Sequence, residues 1–265
     1  MTKTNTPETI TITPLEMESV SFWLVGKTPL MLNALANKST VSRGVQELLF
    51  PSPKKTQAQK AQTLKHDPRF EFRTSSHTFS DPSTPTLIAL PATAVKGAMR
   101  SAGLLMKASN KSASKAMLGK LLFVEGDDLP VYGVPELHMI PVRQSDMART
   151  PDIRTRAVVR DWAAPVTVRF LSTLINVKAV INLAQAAGLG IGVGDYRPEK
   201  GAGNFGQFDV LDDTAMTEQC SGLLELGRAA QETAFEQAVP YDDFAANTLA
   251  WFDKTLIERG MKASA

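Results

Sequence analysis

Alternation of hydrophobic and polar positions predicts β-strands in several separate stretches of this chain. In MESVSFWLVG the apolar residues that share one face are Val20, Phe22 and Leu24. In PVTVRFLS the corresponding residues are Val166, Val168 and Phe170. Shorter strand-like pieces occur in GKLLFVEGDDLPVYGVPEL, on either side of a Gly-Asp-Asp turn, and in FGQFDVLD. We expect the longer stretches to lie half-buried in a sheet.

Two stretches between these strands have apolar residues at helical spacing. The first follows a short apolar run that ends at Pro91, and its core-facing residues are Val95, Ala98, Met99, Ala102 and Met106. Lys96, Arg100 and Lys107 share another side of this predicted helix. The second stretch, NVKAVINLAQAAG, has a predicted N-cap at Asn176 and a predicted stop at Gly188. Its apolar side comprises Val177, Val180, Ile181, Ala184 and Ala187.

The order of these elements predicts an α+β fold. Strand, helix, strand, strand, helix and strand follow one another, which is the β-α-β-β-α-β arrangement of ferredoxin-like and modified RRM domains. Such a domain has a four-stranded antiparallel sheet with two helices on one face. We predict it over residues 16–211, after a flexible polar arm at 1–15. Many RNA-binding proteins use this architecture, but unrelated enzymes use it too, so the fold alone does not determine function.

Two segments interrupt this order without a clear hydrophobic period. Residues 36–86 are rich in Pro, Ser, Thr and Lys, and we expect a surface insertion too polar to form a core, with a short helix in KTQAQKAQTLK. Residues 138–162 are expected to protrude as a basic loop or hairpin. The arginines of this second segment are Arg143, Arg149, Arg154, Arg156 and Arg160.

The last part of the chain, residues 212–265, is predicted to be an acidic helical extension with two helices. Apolar residues of the first are Met216, Cys220, Leu223, Leu224 and Ala230. Those of the second are Ala245, Leu249, Phe252 and Leu256.

Charge is distributed unevenly along the chain. Residues 1–208 carry 25 Lys+Arg and 16 Asp+Glu, whereas residues 209–265 carry 4 and 11. A basic body suits nucleic-acid binding, and a basic body with an acidic tail also suits association between unlike surfaces of two copies. A chance distribution of solvated charges would give the same pattern.

Composition narrows the class of protein further. With 265 residues and 43% hydrophobic residues, the chain can bury a sizeable core. No apolar run approaches the ~18 residues of a membrane span, and the N-terminus lacks a signal pattern. The single cysteine, Cys220, excludes an intramolecular disulfide and a cysteine-based metal cluster. We therefore expect a cytoplasmic protein with no membrane partner.

The stretch GVGDYRPEKGAGNFG, residues 192–206, combines glycine with charge. A dinucleotide fingerprint would follow a strand and open a helix, whereas this stretch follows a predicted helix and precedes a strand. Glycine lets backbone N–H groups approach a phosphate closely, and Arg197 and Lys200 would add charge. Alternatively, these two cations pair with Asp195 and Glu199, and the stretch only closes a turn. We expect Phe205 to start the next strand and anchor the loop in the core.

Candidate catalytic chemistry is sparse. The three histidines lack metal-ligand spacing, and no Ser-His-Asp arrangement stands out. Glu125, Asp127 and Asp128 cluster in sequence and could hold a metal, although a turn between strands is the simpler interpretation. We predict no cofactor and no catalytic residue, and keep a metal-dependent nuclease as an alternative.

Three stretches together resemble the RAMP superfamily of CRISPR-associated proteins. IALPATAVKGAMRSAG (88–103) is similar to that family's short strand and small-residue helix with K-x-x-x-R. GVGDYRPEKGAGNFGQF (192–208) is similar to its C-terminal glycine-rich loop, and LVGKTPLML (24–32) to the end of its first strand. The closest likeness is to backbone subunits of class 1 effector complexes, which carry a thumb-like hairpin where this chain has residues 138–162.

The resemblance implies a non-catalytic subunit of a ribonucleoprotein complex for antiviral defence. Such a subunit forms a helical or filament-like assembly of its own copies along a single-stranded guide RNA. Other effector subunits and a complementary nucleic-acid target are further expected partners. Matched positions predict RNA contacts by Lys96, Arg100, Arg197, Lys200, Gly201, Gly203 and Asn204. Lys27 and the arginines of residues 138–162 are further predicted RNA contacts, because Lys and Arg side chains bind phosphate.

Two features depart from this family pattern. Some members cleave target RNA with an aspartate after the first strand, but KTPLMLNALANKSTVSR contains no Asp or Glu, so we do not predict ribonuclease activity. The family pattern also does not explain the insertion at 36–86 or the acidic tail. A diverged, phage-encoded relative, or a structural and assembly protein that uses the same fold for protein contacts, are the remaining alternatives.

Overall fold

The computed structural model describes residues 14–34, 64–106, 114–143, 150–200 and 203–261. The strands are β1 (Met17–Gly26), β2 (Leu30–Met31), β3 (His77–Thr78), β4 (Ile88–Pro91), β5 (Leu122–Val124), β6 (Asp128–Pro130), β7 (Pro135–Arg143), β8 (Pro151–Val159), β9 (Ala163–Leu171) and β10 (Phe208–Leu211). The helices are α1 (Pro68–Thr74), α2 (Ala92–Ala102), α3 (Lys115–Leu121), α4 (Val177–Gly190), α5 (Asp213–Leu224), α6 (Arg228–Glu236) and α7 (Asp243–Glu258). A 3₁₀ turn spans Pro198–Lys200. The fold is thus α+β, and none of the helices described is long and apolar enough to cross a membrane.

The largest sheet has four antiparallel strands in the order β10-β1-β9-β5. Phe22 of β1 lies opposite Val166 of β9, and both side chains are buried. Leu24, Val168 and Phe170 lie on the same buried side. The alternating pattern therefore predicted the inward face of both central strands correctly, because each buries one side of its pleat.

Helices α2 and α4 pack against each other and against this sheet. The predicted core residues Val95, Ala98, Met99 and Ala102 of α2 are buried. Met106 is not in the helix, which ends at Ala102, and its side chain is 36% exposed. A turn at residues 103–105 breaks the helical period there.

Helix α4 begins where the sequence predicts, since the Asn176 Oδ1 atom accepts a hydrogen bond from the Ala179 N–H at 2.9 Å. It does not stop at Gly188, which lies inside the helix against the carbonyl of Phe208 with no room for a Cβ atom. The buried side of α4 also differs from the predicted apolar side. Val177 was predicted to be buried but is exposed, and Leu183, which was not in the predicted set, is buried.

Two smaller antiparallel sheets complete the body, with orders β2-β8-β7 and β3-β4-β6. β5 and β6, the two pieces joined by the Gly-Asp-Asp turn, belong to different sheets and do not pair with each other. β7 and β8 form the hairpin predicted for residues 138–162, and its tip at 144–149 lies outside the described residues.

The base of this hairpin is packed rather than protruding. Val158 and Val159 are fully buried, and the two strands contact helices α1, α6 and α7. The carboxylate of Asp152 is 2.8 Å from both Lys65 Nζ and His66 Nε2. The hairpin is therefore anchored to the segment just before α1.

The expectation of a coreless insertion at 36–86 is wrong for its described part, residues 64–86. Phe72 of α1 is fully buried and its ring centroid lies 5.1 Å from that of Phe235. The Ser75 hydroxyl accepts a hydrogen bond from the Ala157 N–H at 2.8 Å. One seven-residue helix is too short to show a hydrophobic period, which is why the sequence pattern missed it. The helix expected in KTQAQKAQTLK falls almost wholly outside the described residues.

The C-terminal extension contains three described helices, not two. α5 ends at Leu224, and Gly227 immediately precedes α6. The predicted first helix therefore breaks before Ala230, and its backbone is already non-helical at Cys220. Met216, Ala245, Leu249 and Leu256 are buried as expected.

Candidate nucleic-acid interface

A groove of about 740 Å³ opens between α2 and the glycine-rich loop, which we define as residues 192–206. Its wall on the α2 side is made of small residues, namely Thr93, Ala94, Gly97, Ala98 and Ser101. A Cβ atom built on Gly97 would meet no atom within 4 Å. The wall is therefore open and smooth, and an extended chain could approach the helix closely.

Four cations line the groove: Arg100 from α2, Lys115 at the start of α3, and Arg197 and Lys200 from the glycine-rich loop. Two carboxylates, those of Asp195 and Glu199, also line it. The excess of positive charge suits a polyanionic ligand. Arginine and lysine side chains bind phosphate oxygens through charge-assisted hydrogen bonds.

The backbone of the glycine-rich loop is tied down by hydrogen bonds within the protein. The N–H of Val193 donates to the Gly206 carbonyl at 2.9 Å, and the N–H of Asp195 donates to the Met31 carbonyl at 2.8 Å. The N–H of Gly206 donates to the Pro29 carbonyl at 2.8 Å. The expectation that loop N–H groups point at phosphates is therefore wrong for these three residues. Side chains, rather than these N–H groups, give the loop its positive charge.

Positive backbone angles explain three of the loop glycines. Gly192, Gly194 and Gly206 have φ of 73°, 81° and 71°, a conformation that residues with a Cβ atom rarely adopt. Gly203 packs against the Tyr196 carbonyl with no room for a Cβ atom. Asn204 is exposed, and Gly201 lies outside the described residues.

Phe205 does not start the next strand. β10 begins at Phe208, whose side chain is fully buried. Phe205 is half-buried, and its ring centroid lies 6.2 Å from that of His138 in the hairpin. Of these two aromatic residues, Phe208 is therefore the one that lies in the core.

Arg156 connects the hairpin to the groove. Its Nε atom lies 3.7 Å from the Asp195 carboxylate, and its side chain is only 19% exposed. Burial lowers the pKa of the Arg156 guanidinium, and the nearby Asp195 charge partly opposes this effect. Asp195 also accepts a hydrogen bond from the Asn33 amide at 3.0 Å. Arg156 of the hairpin thus pairs with Asp195, which is a residue of the groove lining.

Among the described residues of the hairpin, the predicted arginines Arg143, Arg154 and Arg160 do not line the groove. Arg154 pairs with Asp152 at 3.3 Å. Arg160 donates two hydrogen bonds to Glu136 and lies over the Tyr241 ring at 4.2 Å, and the Glu136 carboxylate raises its pKa. Arg143 is exposed at the end of β7, and Arg149 lies outside the described residues.

Two predicted lysines also lie outside the groove lining. Lys27 pairs with Asp209 at 3.3 Å, at the edge of the four-stranded sheet. Lys96 lies over the Phe123 ring, 4.8 Å from its centroid. The groove therefore brings together Arg100, Arg197 and Lys200 out of the predicted cations.

The acidic turn after β5 does not form a cluster. Glu125 pairs with Arg169 at 3.8 Å, and the Asp127 carbonyl accepts a hydrogen bond from the Ala92 N–H at the start of α2. Within the described ranges, no three His, Cys, Asp or Glu side chains converge in a way that could hold a metal ion. The metal-dependent nuclease alternative therefore has no geometric support in these residues.

Sequence patterns did not indicate three further groove residues, Lys115, Ser101 and Asn33. The Ser114 hydroxyl caps α3 by accepting from the Met117 N–H at 3.2 Å, and this cap places Lys115 at the groove. A capping serine is a recognisable signal for a helix start, but it carries no information about which groove the helix will face.

Fold and site together define an α+β protein with antiparallel sheets and a basic groove beside a small-residue helix. No protein-family model matches the chain, and no curated protein matches it at a significant level. Among solved structures it is similar to Cmr6 from Pyrococcus furiosus, with 11% identity, a TM-score of 0.36, and coverage of 74% of this chain and 99% of that one. It is also similar to a chain of the Type III-B Cmr-beta complex bound to cognate target RNA. That match has 12% identity, a TM-score of 0.32, and coverage of 72% of this chain and 61% of that one.

Because both TM-scores lie below 0.5, we take the function from the geometry of the groove and not from these neighbours.

Proposed function

We propose that this chain is a non-catalytic RNA-binding subunit whose groove holds the phosphodiester backbone of single-stranded RNA. The observation that carries the proposal is that the three motif stretches converge on one groove. The three motif stretches are far apart in sequence, yet each contributes lining to one groove: Leu32 from the first, Arg100 from the second, and Arg197 and Lys200 from the third.

The proposal includes the ferredoxin-like, modified RRM topology. The strand order β10-β1-β9-β5, with α2 and α4 packed together against the sheet, supports it. In that topology the groove lies where the first helix meets the connection between the second helix and the last strand.

The groove suits backbone recognition more than base recognition. Its cationic groups are Arg and Lys side chains that bind phosphate irrespective of sequence, and its small-residue wall offers no aromatic platform for bases. Binding is therefore driven by phosphate contacts, with weak sequence preference and a steep dependence on salt.

The proposal extends to assembly. A subunit that binds backbone without sequence preference can repeat along a guide RNA, with other effector subunits and a complementary target as further partners. The packed hairpin and the acidic C-terminal helices are the surfaces of this chain through which neighbouring copies would meet. Self-association should then be RNA-dependent.

The test is a binding measurement on protein freed of copurifying nucleic acid. Two single-stranded RNAs of unrelated sequence should bind with similar affinity, and both affinities should fall steeply as salt rises. Light scattering on the same samples should show larger particles only when RNA is added. No binding of either RNA at low salt would reject the proposed function.

A further inference from the structure

The carboxylate of Glu199 is surrounded by three donors inside the groove. The Ser101 hydroxyl donates to Oε1 at 2.6 Å, and the Lys115 ammonium lies 3.6 Å from the same oxygen. The Arg197 guanidinium donates to Oε2 through Nε at 3.1 Å and Nη2 at 2.9 Å. Both carboxylate oxygens are therefore engaged, and the three donors come from three separate segments.

The environment favours an anion at this point. The Ser101 hydrogen bond lowers the pKa of Glu199 most, and Arg197 and Lys115 lower it further, while burial opposes them. The Glu199 side chain is 28% exposed and that of Arg197 is 26% exposed, so the site is sheltered but open to the groove. Arg197 is also held by its Nη1 donation to the Gly194 carbonyl at 2.9 Å.

A hydroxyl, a guanidinium and an ammonium are the donor groups that proteins use for phosphate oxygens. A phosphodiester presents two non-bridging oxygens that share one negative charge. A carboxylate has the same charge and a similar pair of oxygens. We propose that Ser101, Arg197 and Lys115 form a phosphate-binding subsite that Glu199 occupies in the RNA-free chain. A phosphodiester of single-stranded RNA takes the place of the Glu199 carboxylate when the groove fills.

The local backbone allows this exchange without opening the loop. Glu199 lies in the 3₁₀ turn Pro198–Lys200, which is held by the Glu199 N–H donating to the Ile191 carbonyl at 3.2 Å. The N–H of Lys200 donates to the Arg197 carbonyl at 2.9 Å. Rotation of the Glu199 side chain toward solvent breaks neither bond, so the donors stay in place.

Glu199 then acts as an internal competitor that weakens RNA binding. This inference rests on the proposed function, because it assumes that RNA backbone enters the groove. Glu199→Gln keeps an acceptor for Ser101 but removes the charge that competes with phosphate. We expect it to bind single-stranded RNA roughly two- to fivefold more tightly. The log–log salt slope should stay at the wild-type value, because the same phosphodiester occupies the subsite in both proteins and the number of neutralised phosphates is unchanged.

The result that would overturn the inference is unchanged or weaker RNA binding by Glu199→Gln in a protein with wild-type thermal stability. If that variant does not fold, Glu199→Asp serves instead, because its shorter side chain keeps the charge but withdraws it from Ser101 and Lys115. It too should bind RNA more tightly than the wild type, and equal or weaker binding would overturn the inference.

Arg100→Glu separates this inference from the proposed function. Arg100 lines the groove but makes no contact with Glu199 among those described, and its Nε donates to the Lys115 carbonyl at 3.1 Å. If Arg100→Glu weakens RNA binding and Glu199→Gln does not strengthen it, only the subsite inference fails. If neither the wild type nor any variant binds RNA at low salt, the proposed function fails.

Discussion

Gly97 is the residue that keeps the groove accessible. It lies in α2, with its Cα facing open space at the centre of the small-residue wall. Glycine inside a helix costs about 0.5–1 kcal/mol relative to alanine. Nothing in the packing around Gly97 offsets that cost, which points to a role for the open wall.

Substitution of Gly97 tests the groove at this scale. Gly97→Glu places bulk and negative charge in the groove, and we expect it to weaken binding of single-stranded RNA about tenfold or more. Gly97→Ala is the matched control, because it fills little space and improves helix propensity. Both variants should unfold at the wild-type temperature or higher. Equal RNA affinity of the two variants, measured by fluorescence anisotropy, would show that the groove is not the binding surface.

Individual site residues were predictable from sequence only where a motif marked them. Arg100, Arg197 and Lys200 lie in stretches with unusual composition, so they stood out. Lys27 and Lys96 looked similar in sequence but lie outside the groove lining, with an Asp209 pair and the Phe123 ring as their neighbours. The surface that a cationic side chain faces depends on tertiary packing. The local sequence around a single charged residue does not determine that surface.

At the scale of secondary-structure elements, Gln231 of α6 connects the C-terminal extension to the rest of the fold by hydrogen bonds. Its fully buried side-chain carbonyl accepts from the N–H groups of Leu87 and Ile88 at 2.8 and 2.9 Å. Its amide donates to the carbonyls of Val131 and Gly133 at 2.7 and 2.9 Å. A single side chain therefore joins α6 to the start of β4 and to the connection between β6 and β7.

Removing this clamp should destabilise the fold. Gln231→Leu has a similar size but leaves four backbone groups without their partner, and each buried unsatisfied group costs about 1–3 kcal/mol. We expect the free energy of unfolding to fall by at least about 4 kcal/mol, measured by urea denaturation. Gln219→Leu, at an exposed position of α5, is the matched control and should change it by less than about 0.5 kcal/mol. Equal effects of the two substitutions would contradict this stabilising role of the Gln231 side chain.

His138 joins the hairpin to the acidic C-terminal helices. Its side chain is 8% exposed, and its ring centroid lies 5.1 Å from that of Tyr241. Burial lowers the pKa of His138, and the Asp242 carboxylate at 3.7 Å partly opposes this. The unfolded chain therefore binds a proton at a higher pH than the folded chain does.

The sign of the resulting pH dependence follows from this difference in pKa. The stability contributed by neutral His138 is fully present above the unfolded pKa of about 6.5 and is lost as pH falls through the lower folded pKa. Wild-type protein should thus lose stability as the pH falls below about 6.5. His138→Phe should lose less over the same range. Thermal melts of both proteins test this, and parallel pH profiles would rule out the assignment to His138.

Elements with one buried face were predictable, and elements buried on both sides were not. β1 and β9 each show period two because one face meets the core. β8 instead buries the consecutive residues Ala157, Val158 and Val159 and interleaves arginines that pair with acids, which removes the alternation. The hairpin itself was expected, but its packing against α1 and the C-terminal helices depends on contacts between segments distant in sequence.

At the scale of the whole molecule, the fold concentrates positive charge that the sequence spreads out. Arg100 and Arg197 are almost a hundred positions apart, yet both line one groove. Meanwhile three arginines of the hairpin segment pair with carboxylates: Arg154 with Asp152, Arg156 with Asp195, and Arg160 with Glu136. Among the described residues, the groove is therefore the place where predicted RNA-contacting cations from segments distant in sequence come together.

The most direct test of this account is the salt dependence of RNA binding after charge reversal in the groove. Arg100→Glu combined with Lys200→Glu should weaken binding of unrelated single-stranded RNAs alike and flatten the log–log salt slope by about 1.4, or ~0.7 for each lost phosphate contact. Lys178→Glu on the exposed side of α4 makes a charge change of the same kind outside the groove and should leave affinity within about twofold. Wild-type affinity and slope in the double variant, or equal losses in the control, would contradict the claim that this groove binds RNA.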